Sequence, residues 1–168
     1  MKVILYMTTT MNGYIAKENN DTPWSKKEWE SFSKYVRKIE NIIIGRKTYE
    51  IMKKANEFRK IGNPFTIVLT KDKLKPDKNT IFVKSPKEAI VLLKKRGFKQ
   101  ALITGGGITN SSFLKENLID EIIIDIEPQI FGKGIKLFAD NNFEKRLKLM
   151  KISKLSKDLI QLHYKILK

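Results

Sequence analysis

Residues 101–111 read Ala-Leu-Ile-Thr-Gly-Gly-Gly-Ile-Thr-Asn-Ser, and the rest of the chain arranges itself around them. Ala101, Leu102, Ile103 and Thr104 have the character of a buried strand. Three glycines follow, and residues 108–116 can be drawn as a helix. Strand, glycine turn and helix together bring backbone N–H groups and a helix N-terminus up to an anion. Glycine suits that task because a Cβ would hold the backbone away from the ligand. The spacing is neither Gly-x-Gly-x-x-Gly nor a Walker loop, since no Lys-Ser or Lys-Thr pair follows. Taken alone, the three glycines read equally well as a tight strand-to-helix turn, so their context decides.

That context comes from two other strand ends. Asn41, Ile42, Ile43 and Ile44 read as a strand closed by Gly45, with Arg46, Lys47 and Thr48 starting a helix that turns Tyr49 and Met52 inward. Residues 64–69 read as another strand, stopping at the basic turn Thr70-Lys71-Asp72-Lys73. Residues 2–9 form an apolar strand, and Met11-Asn12-Gly13-Tyr14 is a turn signal before Ile15 and Ala16. Pro23 and Trp24 precede Ser25-Lys26-Lys27-Glu28, a helix capping box. The helix it opens carries Trp29, Phe32, Val36 and Ile39 on one stripe, which suits core or a pocket wall.

Residues 80–83 give a short strand, and a helix runs from about Pro86 to Arg96, with proline in the first turn and Gly97 at the exit. Residues 120–127 form an isoleucine-rich strand ended by Pro128. The chain closes on two alternating runs, near Leu147 and from Ile160 to Ile166, which read as an antiparallel hairpin with one wet face. Strands alternating with helices, then a hairpin, imply an α/β fold with a mixed, mostly parallel sheet in one domain spanning residues 1–168. Ligands gather at the carboxyl ends of such parallel strands. Gly45 to Thr48, Thr70 and Lys71, and Gly105 to Gly107 all fall there.

Composition narrows the class. Lys+Arg number 34 against 18 Asp+Glu, a net charge of +16, but the lysines are dispersed over nearly every element. Such dispersal argues against a dedicated nucleic-acid face and reads first as a soluble lysine-rich surface, with acidic small molecules such as phosphorylated cofactors as the partners it would suit; a basic nucleotide- or nucleic-acid-binding module is the alternative from another class. No apolar run approaches the ~18–20 residues of a membrane span. The opening residues lack a secretory leader, and there is no cysteine for disulfides, thiolate metal sites or nucleophilic catalysis, so a cytoplasmic protein is the simplest reading. One histidine without cysteine argues against a zinc site, and His163 reads as a solvated surface residue. Asp120 and Glu121 read as a strand-edge cap or a solvent-facing pair.

In this order the motifs resemble the dihydrofolate-reductase-like superfamily, and within it the reductase domain of riboflavin biosynthesis, the C-terminal half of the bifunctional deaminase–reductase. Thr10-Met11-Asn12-Gly13-Tyr14-Ile15-Ala16 resembles Ser-x-Asp-Gly-x-Ile-Ala, with Asn12 in place of the aspartate. Residues 41–50 resemble the strand followed by Gly-Arg-x-Thr, and residues 104–107 the triple-glycine turn. Asp120, Glu121, Pro128, Gly132, Gly134, Leu137 and Phe138 resemble the riboflavin branch's Asp-Glu … Pro … Gly-x-Gly … Leu-Phe. Pro23-Trp24 is similar instead to dihydrofolate reductases, although five residues after the tryptophan stands Trp29 and not a carboxylate.

The resemblance implies an NADPH-dependent reductase that moves a hydride to a C=N or C=O of a pyrimidine- or pteridine-type substrate. It favours the 5-amino-6-(5-phosphoribosylamino)uracil reductase type, with a dihydrofolate or other pteridine reductase as the alternative. It implies cofactor contacts from Ile15, Ala16, Gly45, Arg46, Lys47, Thr48, Thr70, Lys71, Thr104, Gly105, Gly106, Gly107 and Ile108. Arg46 and Lys71 would meet the adenosine 2′-phosphate. Asn12, Trp24, Glu28 and Phe32 would face the substrate. Glu28 is the candidate proton donor, and equally the acidic member of a capping box bonding the Ser25 N–H. Homodimers occur in the riboflavin branch, which makes a homodimer the expectation here.

Overall fold

The computed structural model describes residues 1–167. Lys2–Thr10 (β1) lies at the middle of an eight-stranded sheet. Tyr14–Ala16 (β2) follows, then the helix Lys26–Ile39 (α1) and the strand Asn41–Gly45 (β3). The helices Arg46–Lys54 (α2) and Glu57–Lys60 (α3) precede Phe65–Leu69 (β4) and Thr80–Val83 (β5). Pro86–Lys95 (α4), Gln100–Ile103 (β6) and Gly107–Lys115 (α5) come next. Glu121–Glu127 (β7), Ile135–Lys136 (β8), Leu147–Lys154 (β9) and Ile160–Ile166 (β10) complete the chain.

The sheet order is β5-β4-β3-β6-β1-β7-β10-β9, with β2 and β8 paired separately. The pairings from β5 to β7 are all parallel, and β10 joins β7 antiparallel, as does β9 to β10. Parallel strands are buried on both faces, which is why β3 carries Ile42, Ile43 and Ile44 in succession with no polar alternation. Ile43 joins a core with Leu5, Ile103, Ala89, Leu93 and Phe113, under α4 and α5. Ile42 and Ile44 join the opposite core with Tyr6, Val36, Met52 and Ile61, under α1, α2 and α3.

The strands and long helices expected from sequence periodicity are present, with boundaries within a residue or two. Ile15 and Ala16, read only as residues after a turn, belong to β2, and the apolar stretch after Gly134 contributes β8. The short helix α3 has no side-chain cap; its N-cap Asn56 has φ 54° and its side chain accepts no helix N–H. His163 is not freely solvated: it is half-buried, with Nε2 2.9 Å from Glu121, whose other oxygen lies 2.8 Å from Lys2. Asp120 does cap a strand edge, accepting the Val3 N–H at 2.9 Å. Among the described residues no helix is long and apolar enough to cross a membrane.

Candidate active site

The carboxyl ends of three adjacent strands, β4, β3 and β6, meet as the sequence pattern anticipates. Gly45 stands opposite Leu69 in register, so the Thr70–Lys71 turn emerges beside it. The Gly45 N–H donates to the Gly105 carbonyl at 2.9 Å, and Thr104 N–H donates to Ile43 at 3.0 Å. A Cβ on Gly45 would lie 2.7 Å from the Thr109 hydroxyl of α5, and one on Gly106 would sit 3.5 Å from the Thr48 hydroxyl of α2. The first turns of α2 and α5 are therefore packed side by side.

Glycine is required here for reasons the sequence only half conveys. Gly105 has φ +102°, a region that other residues rarely adopt. At Gly107 the constraint is a protein contact and not a ligand: a Cβ would lie 2.5 Å from the Lys136 carbonyl of β8.

The helix termini differ by location. The N-caps of α1 and α4 are Ser25 and Ser85, each accepting an N–H from the third helical residue, Glu28 or Glu88. The N-caps of α2 and α5 are Gly45 and Gly106, with no side-chain cap and no acid in the first turn. Their leading N–H groups and positive dipole ends face the same space, which favours an anion.

That space is a cavity of about 630 Å³. Eleven of the anticipated residues line it: Ile15, Ala16, Trp24, Glu28, Phe32, Lys47, Thr48, Thr104, Gly106, Gly107 and Ile108. The others do not. Gly45 and Gly105 form the cradle behind the wall, bonded to each other. Arg46 is placed outside, its guanidinium 2.8 Å from Asp72 and 3.8 Å from Glu50. Thr70 accepts the Asp72 N–H within its own turn, with Lys71 exposed between them. Asn12 is a loop tie, accepting from the Thr10 hydroxyl and the Phe131 N–H and donating to the Phe131 carbonyl at 2.7 Å. It holds the loop whose Phe131 stacks on Trp24, ring centres 6.1 Å apart.

Glu28 is 3% exposed. The box expected at Ser25 is only half formed: Glu28 donates its backbone N–H to the Ser25 hydroxyl, but the Ser25 N–H is taken at 2.8 Å by Glu127 from β7. Released from capping, the Glu28 carboxylate turns into the cavity. One oxygen accepts the Thr8 hydroxyl, and Oε2 has no partner. Burial, opposed by the Thr8 hydrogen bond and helped by the charges of Asp125 and Glu127, pushes its pKa up to about 7.

A second buried carboxylate stands behind it. Asp125, 0% exposed, accepts the Tyr6 hydroxyl at 2.7 Å and the Gln161 amide at 2.9 Å. Burial raises its pKa to about 6, against the pull of those two hydrogen bonds and with the help of Glu127. Sequence reading passed over Asp125, Glu127 and Thr8. The signal was Ile-Asp-Ile-Glu at residues 124–127: two acids in a strand that should be buried on both faces.

The buried atoms Glu28 Oε2 and Thr104 Oγ1, both without partners, line this cavity together with two uncapped helix ends. Unmet polar groups of that kind mark a place built for a polar ligand with an anionic part. The residues present fit a phosphorylated nucleotide cofactor on both counts.

The uncharacterized protein YwjB of Bacillus subtilis (strain 168) is 30% identical over 170 residues, covering 97% of this chain and 97% of that protein. Dihydrofolate reductase type 1 of Escherichia coli is 29% identical over 136 residues, 77% of this chain and 78% of that enzyme. Among solved structures, a Shewanella sp. PV-4 protein provisionally named for riboflavin biosynthesis matches with a TM-score of 0.84 over 100% of both chains at 23% identity, a likeness in fold. The sequence profile of the RibD C-terminal domain covers residues 1–161, and with the dihydrofolate-reductase-like sheet already described, the chain belongs to that family.

Proposed function

We propose that the chain is an NADPH-dependent reductase acting on a C=N or C=O bond of a pyrimidine- or pteridine-type substrate. One observation carries the reading: a single cavity is lined both by two uncapped helix N-termini and by a buried, half-partnered carboxylate, Glu28. The family supports it, since the RibD C-terminal domain is a reductase type.

NADPH, when bound, supplies the hydride. The N–H groups that open α2 and α5 hold its pyrophosphate, with the hydroxyls of Thr48 and Thr104 within the same wall. Arg46 and Lys71 at the rim meet the 2′-phosphate, Arg46 exchanging its exposed pairing with Asp72 for the stronger anion. Ile15, Ala16 and Ile108 exclude water from the nicotinamide end. Trp24 and Phe32 flank the flat substrate. Glu28, poised near neutrality, holds a proton at one carboxyl oxygen and gives it to the heteroatom beside the reduced carbon.

The riboflavin-type ring, an aminouracil bearing a phosphoribosylamino group, and the dihydropteridine ring both suit this wall. The second reading, a pteridine reductase, is favoured by the Pro23-Trp24 pair, whose Trp24 lines the cavity, and by the Escherichia coli relative. The test is NADPH oxidation assayed in parallel with 5-amino-6-(5-phosphoribosylamino)uracil and with 7,8-dihydrofolate, each with NADH as control. Turnover with NADPH well above NADH supports the reading. Absence of NADPH binding overturns it.

A further inference from the structure

The cavity has a polarity along its length, and α2 is the ruler. Lys47 and Thr48 at its start meet Gly106, while Ile51, Met52 and then Glu57 of α3 line the far part. The nine residues of α2 rise about 13 Å. Met52 belongs to the same apolar cluster as Trp29 and Phe32 of α1, and all three line the cavity with Glu28.

Charges sort along this axis. The cavity's two lysines are Lys47, in the first turn of α2, and Lys136, whose carbonyl abuts Gly107; Lys136 is already paired with Asp140 at 2.9 Å. Both belong to the end with the uncapped helices, as does Asp140, which also lines the wall. The far end is lined by Glu28 and Glu57 amid aromatic and aliphatic side chains, with no lysine or arginine among the described lining residues. Lys53 is turned aside, donating to the Tyr49 hydroxyl at 3.2 Å. Lys60 acts on Glu57 from outside the cavity, and its pull is smaller than the effect of burial, so the Glu57 pKa is raised. This acidic end belongs to a chain with a net charge of +16. A phosphate or carboxylate entering there would meet the Glu57 carboxylate with no cation on the cavity wall beside it.

We infer that the substrate end selects a flat heterocycle whose tail is neutral or cationic, with Glu57 as the specificity-determining residue that accepts hydrogen bonds from the tail and rejects phosphate or carboxylate. The inference rests on the reductase reading and names the substrate class within it. Within the two ring classes proposed above, it ranks the members without a terminal anion as the tighter ligands.

A matched series tests it: 7,8-dihydroneopterin, its monophosphate and 7,8-dihydrofolate, titrated calorimetrically into the protein saturated with NADP⁺. The expected result is that the neutral-tailed compound binds at least about tenfold more tightly than either anionic one. Glu57→Lys should bring that ratio to unity or below, and Glu57→Gln should narrow it, which keeps the test usable should the lysine variant melt early. Equal or tighter binding of the monophosphate by the native chain overturns the inference. So does a ratio unmoved by both substitutions, or no binding by any of the three. NADPH titrated alone reports on the reductase reading separately: if it binds while the ratio fails, only the substrate class falls.

Discussion

The Glu127 carboxylate accepts the Ser25 backbone N–H at 2.8 Å across 102 residues of sequence. By occupying the site that a capping box gives to its own glutamate, it frees Glu28 for the cavity and adds the negative charge that helps keep Glu28 protonated. Replacing Glu127 with alanine therefore has two effects of different kind. The orphaned Ser25 N–H costs about 1–3 kcal/mol of stability, read from urea unfolding. The Glu28 pKa falls, read as a shift to lower pH in the alkaline limb of NADPH oxidation. Glu127→Gln should lower the pKa while keeping an acceptor for Ser25 and most of the stability.

Glu28 itself links stability to pH. Its folded pKa, about 7, exceeds its ordinary 4.5, so between those values the folded chain binds more protons than the unfolded one. Stability accordingly falls as pH rises through that window, and the full cost is present above pH 7. Asp125, raised from 3.8 to about 6, adds in the same direction at lower pH. Melting temperature should rise on going from pH 7.5 to 5.5, and Glu28→Gln should flatten the upper part of that rise. A Glu28→Gln curve parallel to the native one would contradict the assignment.

The same substitution bears on catalysis. A positioned acid contributes roughly 10²–10⁴ in rate. Glu28→Gln should lower kcat by at least about 10²-fold while leaving the NADPH dissociation constant within about threefold. The native rate should decline above pH 7, where the proton is lost.

Gly106 and Gly107 are adjacent but unequal. Gly107→Ala drives a Cβ to 2.5 Å from a backbone carbonyl of β8, so the loop must shift, at a cost of about 1–3 kcal/mol. Gly106→Ala meets only the Thr48 hydroxyl at 3.5 Å, so the fold tolerates it. Thermal melts should separate the two variants clearly.

Arg46→Ala should weaken NADPH about tenfold and leave NADH nearly unchanged, because the 2′-phosphate is the only group that distinguishes them. Asp72→Ala, which releases the guanidinium from its 2.8 Å partner, should strengthen NADPH modestly. Equal losses for both cofactors on Arg46→Ala would move the 2′-phosphate site elsewhere.

The parts of this fold that were legible in the sequence are those with a strong local period. Ile42 to Ile44 and the isoleucines of β7 announce buried strands, and the stripe from Trp29 to Ile39 announces α1. The meeting of Gly45 with Gly105 was legible because parallel strands deliver their carboxyl ends to one edge. What stayed hidden depended on long-range pairing. Nothing near Ser25 says that Glu127 will take its N–H, and nothing near Asn12 says that it will tie down Phe131. Glu57 was missed because α3 has no periodic stripe, only a position at the far end of α2. Arg46 was correctly placed at the strand edge, but its partners Asp72 and Glu50 belong to a turn and a helix face that charge spacing alone does not distinguish from solvent.

The helix starts that follow Gly45 and Gly106, which no side chain caps, also make the ligand a member of the fold. Serine hydroxyls cap the other two long helices from within the chain, whereas no side chain caps these two. Any oxyanion that docks there thus stabilises the native state by mass action, by about 2.7 kcal/mol at a hundredfold excess over its dissociation constant. Pyrophosphate alone, with no ring to reduce, should already slow the opening of this corner to hydrogen exchange.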